Sequence, residues 1–226
     1  MSPSLDQLIL DLPQRAALGA QDFLVSTSNQ AAADMIDRWP NWTDGAVLVV
    51  APARAGKTHL GNVWRLKSGA VALNAPQVCE ADVARAGNTL LVEDLHAGIG
   101  DERVLFHLLN LVREHGRSML LTSATAPGGL TVRLPDLRSR LRALPLVEIA
   151  PPDAALLRAV LVKQFADRQL AVEPHVIAHL VLHMEQSMAA AAALVADLDR
   201  EAMTSHRRIT RGLAGEILAR NRMKLS

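Results

Sequence analysis

The chain has 226 residues, enough for one large domain or for one medium and one small domain. Apolar residues make up 50% of it, but only 3% are aromatic and Tyr is absent, so the core must be built from Ala, Leu and Val, a composition that favours helices. A formal net charge of +1 argues against bulk electrostatic attachment to nucleic acid or to a membrane. The lone Cys79 excludes an internal disulfide, and no signal peptide or membrane-spanning apolar run is visible. We therefore expect a soluble, cytoplasmic protein without membrane partners.

Strand-like apolar runs alternate with helical segments through the first 150 residues. The predicted strands cover 47–50, 71–73, 89–92, 119–122 and 146–149. The predicted helices cover 29–38, 57–66, 75–85 and 102–115. This alternation predicts an α/β unit with a parallel sheet covered by helices.

The strand signals stop at Ala150-Pro151-Pro152. Helices are predicted from the N-cap Asp153 to 168, and over 174–184, 188–205 and 211–221, with Ser187 and Thr210 as caps for the last two. The sequence therefore predicts three parts: a tail at 1–21, an α/β base at 22–150 and an all-helical unit at 151–226.

A phosphate-binding loop follows the first predicted strand. The segment Ala51-Pro52-Ala53-Arg54-Ala55-Gly56-Lys57-Thr58 matches G-x-x-x-x-G-K-[ST] except that Ala51 replaces the first Gly. Backbone N–H groups from Arg54 to His59 would surround a polyphosphate at the positive end of the following helix. Lys57 would reach the β- and γ-phosphates, and the Thr58 hydroxyl would bind Mg²⁺.

Polar residues end two further predicted strands. Leu90-Leu91-Val92 leads into Glu93 and Asp94, a pair that would hold Mg²⁺ and polarise an attacking water. The order Glu-Asp is the reverse of the usual one, which makes hydrolysis doubtful. The next strand ends in Thr122 and Ser123, whose hydroxyls would contact the γ-phosphate or the water.

An arginine-rich helix is predicted at 134–141. Such a helix is usually a solvated face, but a fixed guanidinium there would act strongly on the phosphates of a neighbouring subunit, as an arginine finger.

Together these motifs resemble the AAA+ core of DnaA-related regulators of replication initiation of the Hda type, over about residues 22–220. The quoted matches are the segment Asp22-Phe23-Leu24-Val25 with Ser28, Asn29 and Ala32, the loop ending Gly56-Lys57-Thr58-His59-Leu60, the box Leu134-Pro135-Asp136-Leu137 with Ser139-Arg140-Leu141, and the turn Ala150-Pro151-Pro152-Asp153. The resemblance implies an AAA+ P-loop NTPase fold whose C-terminal helices form a lid. It also implies adenine contacts at Phe23, Leu24, Val25 and Asn29, and a finger at Arg140, with Arg138 or Arg142 left open as partners or substitutes.

The N-terminal segment Gln7-Leu8-Ile9-Leu10-Asp11-Leu12-Pro13 resembles the clamp-binding peptide of that family. In an extended peptide Leu8, Leu10 and Leu12 would enter an apolar cleft of the sliding clamp, with Gln7 at its mouth. A short amphipathic helix is the alternative, because Leu5, Leu8, Ile9 and Leu12 also share a helical face.

Several departures from the family pattern bear on turnover. Ala189 stands where the family's lid supplies an arginine to the phosphates, and Ala124 stands where initiators tend to have Asp. With Ala51 and the Glu93-Asp94 order, these departures predict a chain that binds ADP or ATP with Mg²⁺ but hydrolyses ATP poorly. Because the chain ends at Ser226, we also expect no helix-turn-helix domain after the lid.

The resemblance implies a negative regulator of chromosomal replication initiation. It would bind the β subunit sliding clamp of DNA polymerase III, contact DNA only through that clamp, and stimulate ATP hydrolysis by DnaA. Whether it forms a homodimer is left open by the sequence. Two alternatives remain: a motor-type AAA+ ATPase such as a helicase loader, and a non-catalytic AAA+ adaptor.

Overall fold

The computed structural model describes residues 23–205 and 207–225, with side chains up to Asn221 at the C-terminal end. The predicted clamp-binding residues Gln7, Leu8, Leu10 and Leu12 lie outside the described residues. Across the described ranges, no helix is both long and apolar enough to cross a membrane.

Five strands form one parallel sheet in the order β2-β3-β4-β1-β5. They are β1 (Ala46–Val50), β2 (Val71–Asn74), β3 (Thr89–Glu93), β4 (Ser118–Ser123) and β5 (Leu146–Glu148). All five residues of β1 are buried, as expected for an apolar run covered on both faces. Each strand lies within one residue of its predicted bounds, so the predicted α/β class and parallel sheet are confirmed.

Helices cover both faces of this sheet. The elements of this part are α1 (Gln30–Asp37), α2 (Lys57–Ser68), α3 (Ala81–Arg85), α4 (Glu102–His115) and α5 (Pro135–Ala143). One face packs against α1 and α2 around Trp64, and the other packs against α4 and α5 around Leu108. The Asp101 side chain caps α4 by accepting the backbone N–H groups of Arg103 and Val104. The two apolar layers therefore hold α2 and α5 on opposite sides of the sheet.

The single helix predicted over 75–85 is wrong. The chain forms a short 3₁₀ turn at Ala75–Gln77, passes through Val78 in an extended conformation, and forms helix again only at α3. The Asp82 carboxylate accepts the backbone N–H of Cys79 at 3.0 Å, and the N–H of Gly100 is donated to Ala75 O at 2.8 Å. These tertiary and side-chain bonds take up groups that a continuous helix would use.

Four further helices pack around an apolar cluster of their own. They are α6 (Ala154–Asp167), α7 (Pro174–His183), α8 (Met188–Ser205) and α9 (Arg211–Leu225). Leu157, Leu180 and Leu213 are completely buried in this cluster. Asp153 caps α6 through Leu156 N at 2.7 Å, and Ser187 caps α8 through Ala190 N at 3.1 Å, as predicted. The predicted domain limits themselves stay a prediction.

Among the described residues that pack between the sheet and helices α1 and α2, Trp64 has the largest completely buried side chain. Its ring stacks on Trp42 with centroids 5.3 Å apart and meets Trp39 edge-on at 6.2 Å. We expect Trp64→Ala to lower the free energy of unfolding by about 3–5 kcal/mol, measured by urea denaturation, because the lost ring leaves a cavity.

Leu66→Ala is the matched control, since Leu66 lies on the same helix but is 76% exposed. Its effect should stay within about 0.5 kcal/mol. Equal losses in the two variants would contradict the packing described for α2.

Candidate nucleotide-binding site

The loop between β1 and α2 follows a strand that lies between β4 and the edge strand β5, and it leaves the sheet where the strand order changes direction between β4 and β1. Gly56 has φ of 105° and Arg54 has φ of 65°, so two residues of the loop adopt the left-handed backbone conformation. Ala51 has no positive φ and is buried, donating its N–H to Ser123 O at 3.1 Å. A methyl group is therefore tolerated at position 51, whereas the left-handed conformation at position 56 favours glycine.

The Lys57 side chain closes the loop on itself. Its ammonium donates hydrogen bonds to Ala51 O at 2.7 Å and to Pro52 O at 3.0 Å. Burial lowers the pKa of Lys57, and the nearby Asp94 carboxylate opposes that shift by favouring the charged form. The backbone of residues 51–57 and the Lys57 side chain thus form a closed ring that holds the ammonium group.

Helix α2 begins directly after this ring without a side-chain cap. The first N–H groups of a helix have no acceptor within the helix, and they lie at the positive end of its dipole. Thr58, in the first turn, is exposed. Lys57, Thr58 and these N–H groups together form a site suited to phosphate oxygens.

The predicted carboxylates lie at the end of β3 beside α2. A Cβ built on Gly61 of α2 would lie 3.8 Å from Glu93 Oε1. Burial raises the pKa of Glu93, the Asp94 charge raises it further, and Arg65 partly offsets both effects. Asp94 is half exposed and adopts φ of 62°. Its negative charge favours the protonated form of Lys57. The structure therefore brings Lys57, Glu93 and Asp94 into one electrostatic group.

The two hydroxyls at the end of β4 differ in position. Thr122 Oγ1 accepts the backbone N–H of Asp94 at 3.2 Å and so fixes the turn that carries this carboxylate. Ser123 is completely buried, donating to Thr125 O at 2.7 Å and accepting Thr125 N at 3.1 Å. Thr122 thus belongs to the site as a support for Asp94, whereas the Ser123 hydroxyl is engaged within its own turn.

The segment before α1 packs beside the phosphate loop. Phe23 meets His59 of α2 edge-on with ring centroids 5.4 Å apart, and Val25 is buried. Asn29 holds the segment in shape, since its amide donates to Leu24 O at 2.9 Å and accepts Ser26 N at 2.8 Å. The four residues predicted to contact adenine therefore lie in one wall, the segment 23–29, in which Phe23, Val25 and Asn29 are buried and Leu24 is half-buried.

A cavity of about 250 Å³ lies between this wall and the C-terminal helices. Leu24 and His59 line it from one side, and Met188 lines it from the start of α8. Helix α6 contributes Val160, Lys163, Gln164 and Asp167, which share one helical face. Lys163 and Asp167 form an ion pair at 2.8 Å. The cavity thus has apolar walls with charged and amide groups on one side.

The α6 residues were not found from the sequence. Their spacing of three and four residues is common to many helices, and nothing in the sequence says which face of α6 meets Leu24. The half-buried Lys163 next to Val160 belongs to no motif by itself.

The phosphate loop also contacts the C-terminal helices directly. Met188 N donates to Arg54 O at 3.3 Å, and the Arg54 guanidinium pairs with Glu185 at 3.3 Å. Ala189 is exposed beside this contact and, with Arg54, lines a groove along α8. The position where an arginine would be expected to reach the phosphates therefore offers a methyl group.

Arg140 lies apart from all of these residues. It is on α5, which packs on the sheet face opposite to α2, through Leu137 and Leu141. Its guanidinium Nη2 donates to Asn110 Oδ1 on α4 at 3.1 Å. Arg138 and Arg142 on the same helix are exposed and make no hydrogen bond or ion pair with the part of the chain described.

Sequence comparison relates the chain to the chromosomal replication initiator protein DnaA of Caulobacter sp. (strain K31). The two are 29% identical over 181 residues, which are 67% of this chain but only 37% of that protein. The chain thus spans about a third of the length of this curated relative. No protein-family model matches the sequence.

Structural comparison finds domain III of the Thermotoga maritima replication initiation protein DnaA at a TM-score of 0.75 and 16% identity, covering 88% of this chain and 94% of that one. AMPPCP-bound DnaA from Aquifex aeolicus matches with a TM-score of 0.68 and 18% identity over 84% of this chain and 67% of that one. The chain has a DnaA-like AAA+ fold. The predicted fold class, an AAA+ P-loop NTPase with a parallel sheet and C-terminal helices, is confirmed.

Removal of the Lys57 ammonium should strongly weaken phosphate binding by this site. We expect Lys57→Ala to weaken binding of ADP by about 100-fold or more, because a buried charge-assisted contact to the phosphates is lost. Isothermal titration calorimetry measures the effect.

Lys67→Ala is the control, since Lys67 lies at the other end of α2 and pairs with Asp37 at 3.5 Å. Its ADP affinity should match that of the wild type. Unchanged affinity in Lys57→Ala would show that the loop does not hold the phosphates.

Glu93 should destabilise the nucleotide-free protein at neutral pH. Because its pKa is raised in the folded state, folding is favoured by protonation, and that contribution is lost as the pH rises through the folded pKa. We expect Glu93→Gln to raise the melting temperature at pH 7.5 and to leave it unchanged near pH 4, below the ordinary glutamate pKa.

Thermal denaturation without nucleotide and Mg²⁺ measures this difference across the pH range. Glu114→Gln on exposed α4 surface serves as the control for removal of one negative charge. A lower melting temperature for Glu93→Gln at pH 7.5 would contradict the electrostatic description of the pair.

Proposed function

We propose that the chain binds ADP or ATP at the junction of the phosphate loop and the C-terminal helices, which act as a lid. The phosphates lie on Lys57, Thr58 and the N–H groups of the loop. The base enters the cavity between Leu24 and α6. The AMPPCP bound to the Aquifex aeolicus relative supports this assignment.

Thr58, Glu93 and Asp94 fit a magnesium ion at these phosphates, because hydroxyl and carboxylate oxygens are the ligands that Mg²⁺ prefers. The ion, when bound with ATP, neutralises charge on the β- and γ-phosphates. Asp94 is the better placed carboxylate, because it is half exposed and acts electrostatically on Lys57, whereas Glu93 is turned toward α2 and Arg65.

In this proposal the chain itself hydrolyses ATP only weakly. Ala189 supplies no cation to the phosphates, and Arg54, which lines the same groove as Ala189, is paired with Glu185. The bound nucleotide then serves to hold the base and the lid together rather than to drive a cycle.

We further propose a role as negative regulator of replication initiation. In this role Arg140 enters the active site of ATP-bound DnaA and neutralises charge on the γ-phosphate, which yields inactive ADP-bound initiator. Gln7, Leu8, Leu10 and Leu12 tether the protein to the DNA-loaded sliding clamp, which raises the effective concentration of two weakly interacting partners. The similarity to the Caulobacter initiator supports a place among replication proteins.

The observation that carries this role is the position of Arg140. Its helix lies on the sheet face opposite to α2, so the guanidinium does not serve the phosphate loop of its own chain. An arginine in such a position is suited to act on a nucleotide held by a neighbouring subunit.

The test measures phosphate release from ATP-loaded DnaA mixed with this protein and DNA-loaded sliding clamp. We expect Arg140→Ala to lose about 100-fold or more of the stimulated rate, since an arginine finger contributes 10³–10⁵ in other systems. Arg158→Ala, an exposed arginine on α6, should keep the full rate. Arg138→Ala and Arg142→Ala show whether either residue shares the role.

A second arm replaces Gln7, Leu8 and Leu10 together by Ala. Stimulation should then fall at low protein concentration and recover at high concentration, because the tether changes encounter and not chemistry. Full stimulation by Arg140→Ala would contradict the finger. No stimulation by intact protein that still binds the clamp would favour a non-catalytic adaptor.

A further inference from the structure

The Arg140 guanidinium is held by one side chain of the neighbouring helix. Its Nη2 donates to Asn110 Oδ1 at 3.1 Å, and both residues are half-buried where α4 packs on α5. The neighbouring Leu137 and Leu141 are almost completely buried and fix α5 against the sheet. Arg140 therefore differs from Arg138 and Arg142, which are exposed on the same helix.

The partner of Arg140 is unusual in its charge. Elsewhere in the described ranges, arginine side chains that bond to another side chain bond to a carboxylate. These pairs are Arg54–Glu185, Arg85–Asp82, Arg168–Asp199, Arg200–Asp197, Arg207–Glu216 and Arg220–Glu201. Asn110 is neutral, so it restrains the guanidinium without compensating its charge.

We propose that Asn110 is a positioning residue for Arg140, which keeps the guanidinium oriented and its charge available for the phosphates of a partner's nucleotide. This inference rests on the proposed function of Arg140. Asn110 lies outside every motif identified in the sequence, and this role accounts for its neutral amide.

The chemistry of the pair explains why an amide suits this position. A guanidinium has five N–H donors, so one bond to Asn110 leaves four for phosphate oxygens. Long arginine side chains lose much rotamer freedom when they bind, and a bond formed in advance reduces that loss. An aspartate would orient Arg140 as well, but it would form an ion pair and compete with the phosphates.

Two substitutions separate orientation from charge. In the phosphate-release assay, Asn110→Ala should lower the maximal stimulated rate about tenfold with unchanged half-saturating concentration, because the catalytic geometry is loosened and the docking surface is kept. Asn110→Asp should lower that rate at least as much, although it keeps an acceptor and does not weaken folding. Asn41→Asp, an exposed residue after α1, controls for the added negative charge.

A double substitution tests whether Asn110 acts through Arg140. Arg140→Ala combined with Asn110→Ala should be no slower than Arg140→Ala alone, since the two effects belong to one interaction. Multiplicative losses, or a wild-type rate for Asn110→Asp, would overturn the inference. A wild-type rate for Arg140→Ala would instead overturn the proposed function.

A measurement on the free protein does not depend on the initiator. NMR relaxation of arginine Nε groups should show Arg140 more ordered than Arg142, with the difference lost in Asn110→Ala and kept in Asn110→Asp. Equal mobility of Arg140 and Arg142 in the wild type would overturn the inference whatever the partner assay gives.

Discussion

The loop that closes on Lys57 is the constraint on which the rest of the site depends. β1 is buried along its whole length between β4 and β5, so the position of its end is fixed. Hydrogen bonds from the Lys57 ammonium to Ala51 O and Pro52 O then set the curvature of the loop and the start of α2. In a parallel sheet all strands end at the same edge. The ends of β3 and β4 consequently lie at the edge that carries the loop, where the Thr122 hydroxyl accepts the Asp94 N–H and the Asp94 carboxylate acts on Lys57.

The second layer of organisation couples this edge to the C-terminal helices. Arg54 contacts Glu185 through its side chain and Met188 through its carbonyl, so the phosphate loop and the start of α8 are joined directly. Leu24 packs against the cluster of the C-terminal helices while Phe23 contacts α2. A ligand that fills the cavity between Leu24 and α6 would therefore join both parts of the chain.

Local chemistry made much of the fold predictable. Apolar runs gave every strand within one residue, and Asp153 and Ser187 cap the helices for which they were predicted, because strands and caps are decided by residues close in sequence. The break at Val78 was missed because it depends on the Asp82 side chain and on a hydrogen bond from Gly100 to Ala75. The α6 face of the cavity and the bond from Arg140 to Asn110 were missed because residues 30 or more positions apart in the sequence meet there. Sequence motifs predicted the phosphate-binding chemistry of the loop, whereas tertiary packing determines which residues lie next to it.

We propose that nucleotide binds between the phosphate loop and the C-terminal helices. Amide hydrogen exchange with and without saturating ADP and Mg²⁺ tests it most directly, because protection reports which backbone groups a ligand fixes. We expect slower exchange in two separated regions at once, Arg54 to Leu60 and Ser187 to Ala191. Protection confined to the loop, with exchange at the start of α8 unchanged, would contradict it.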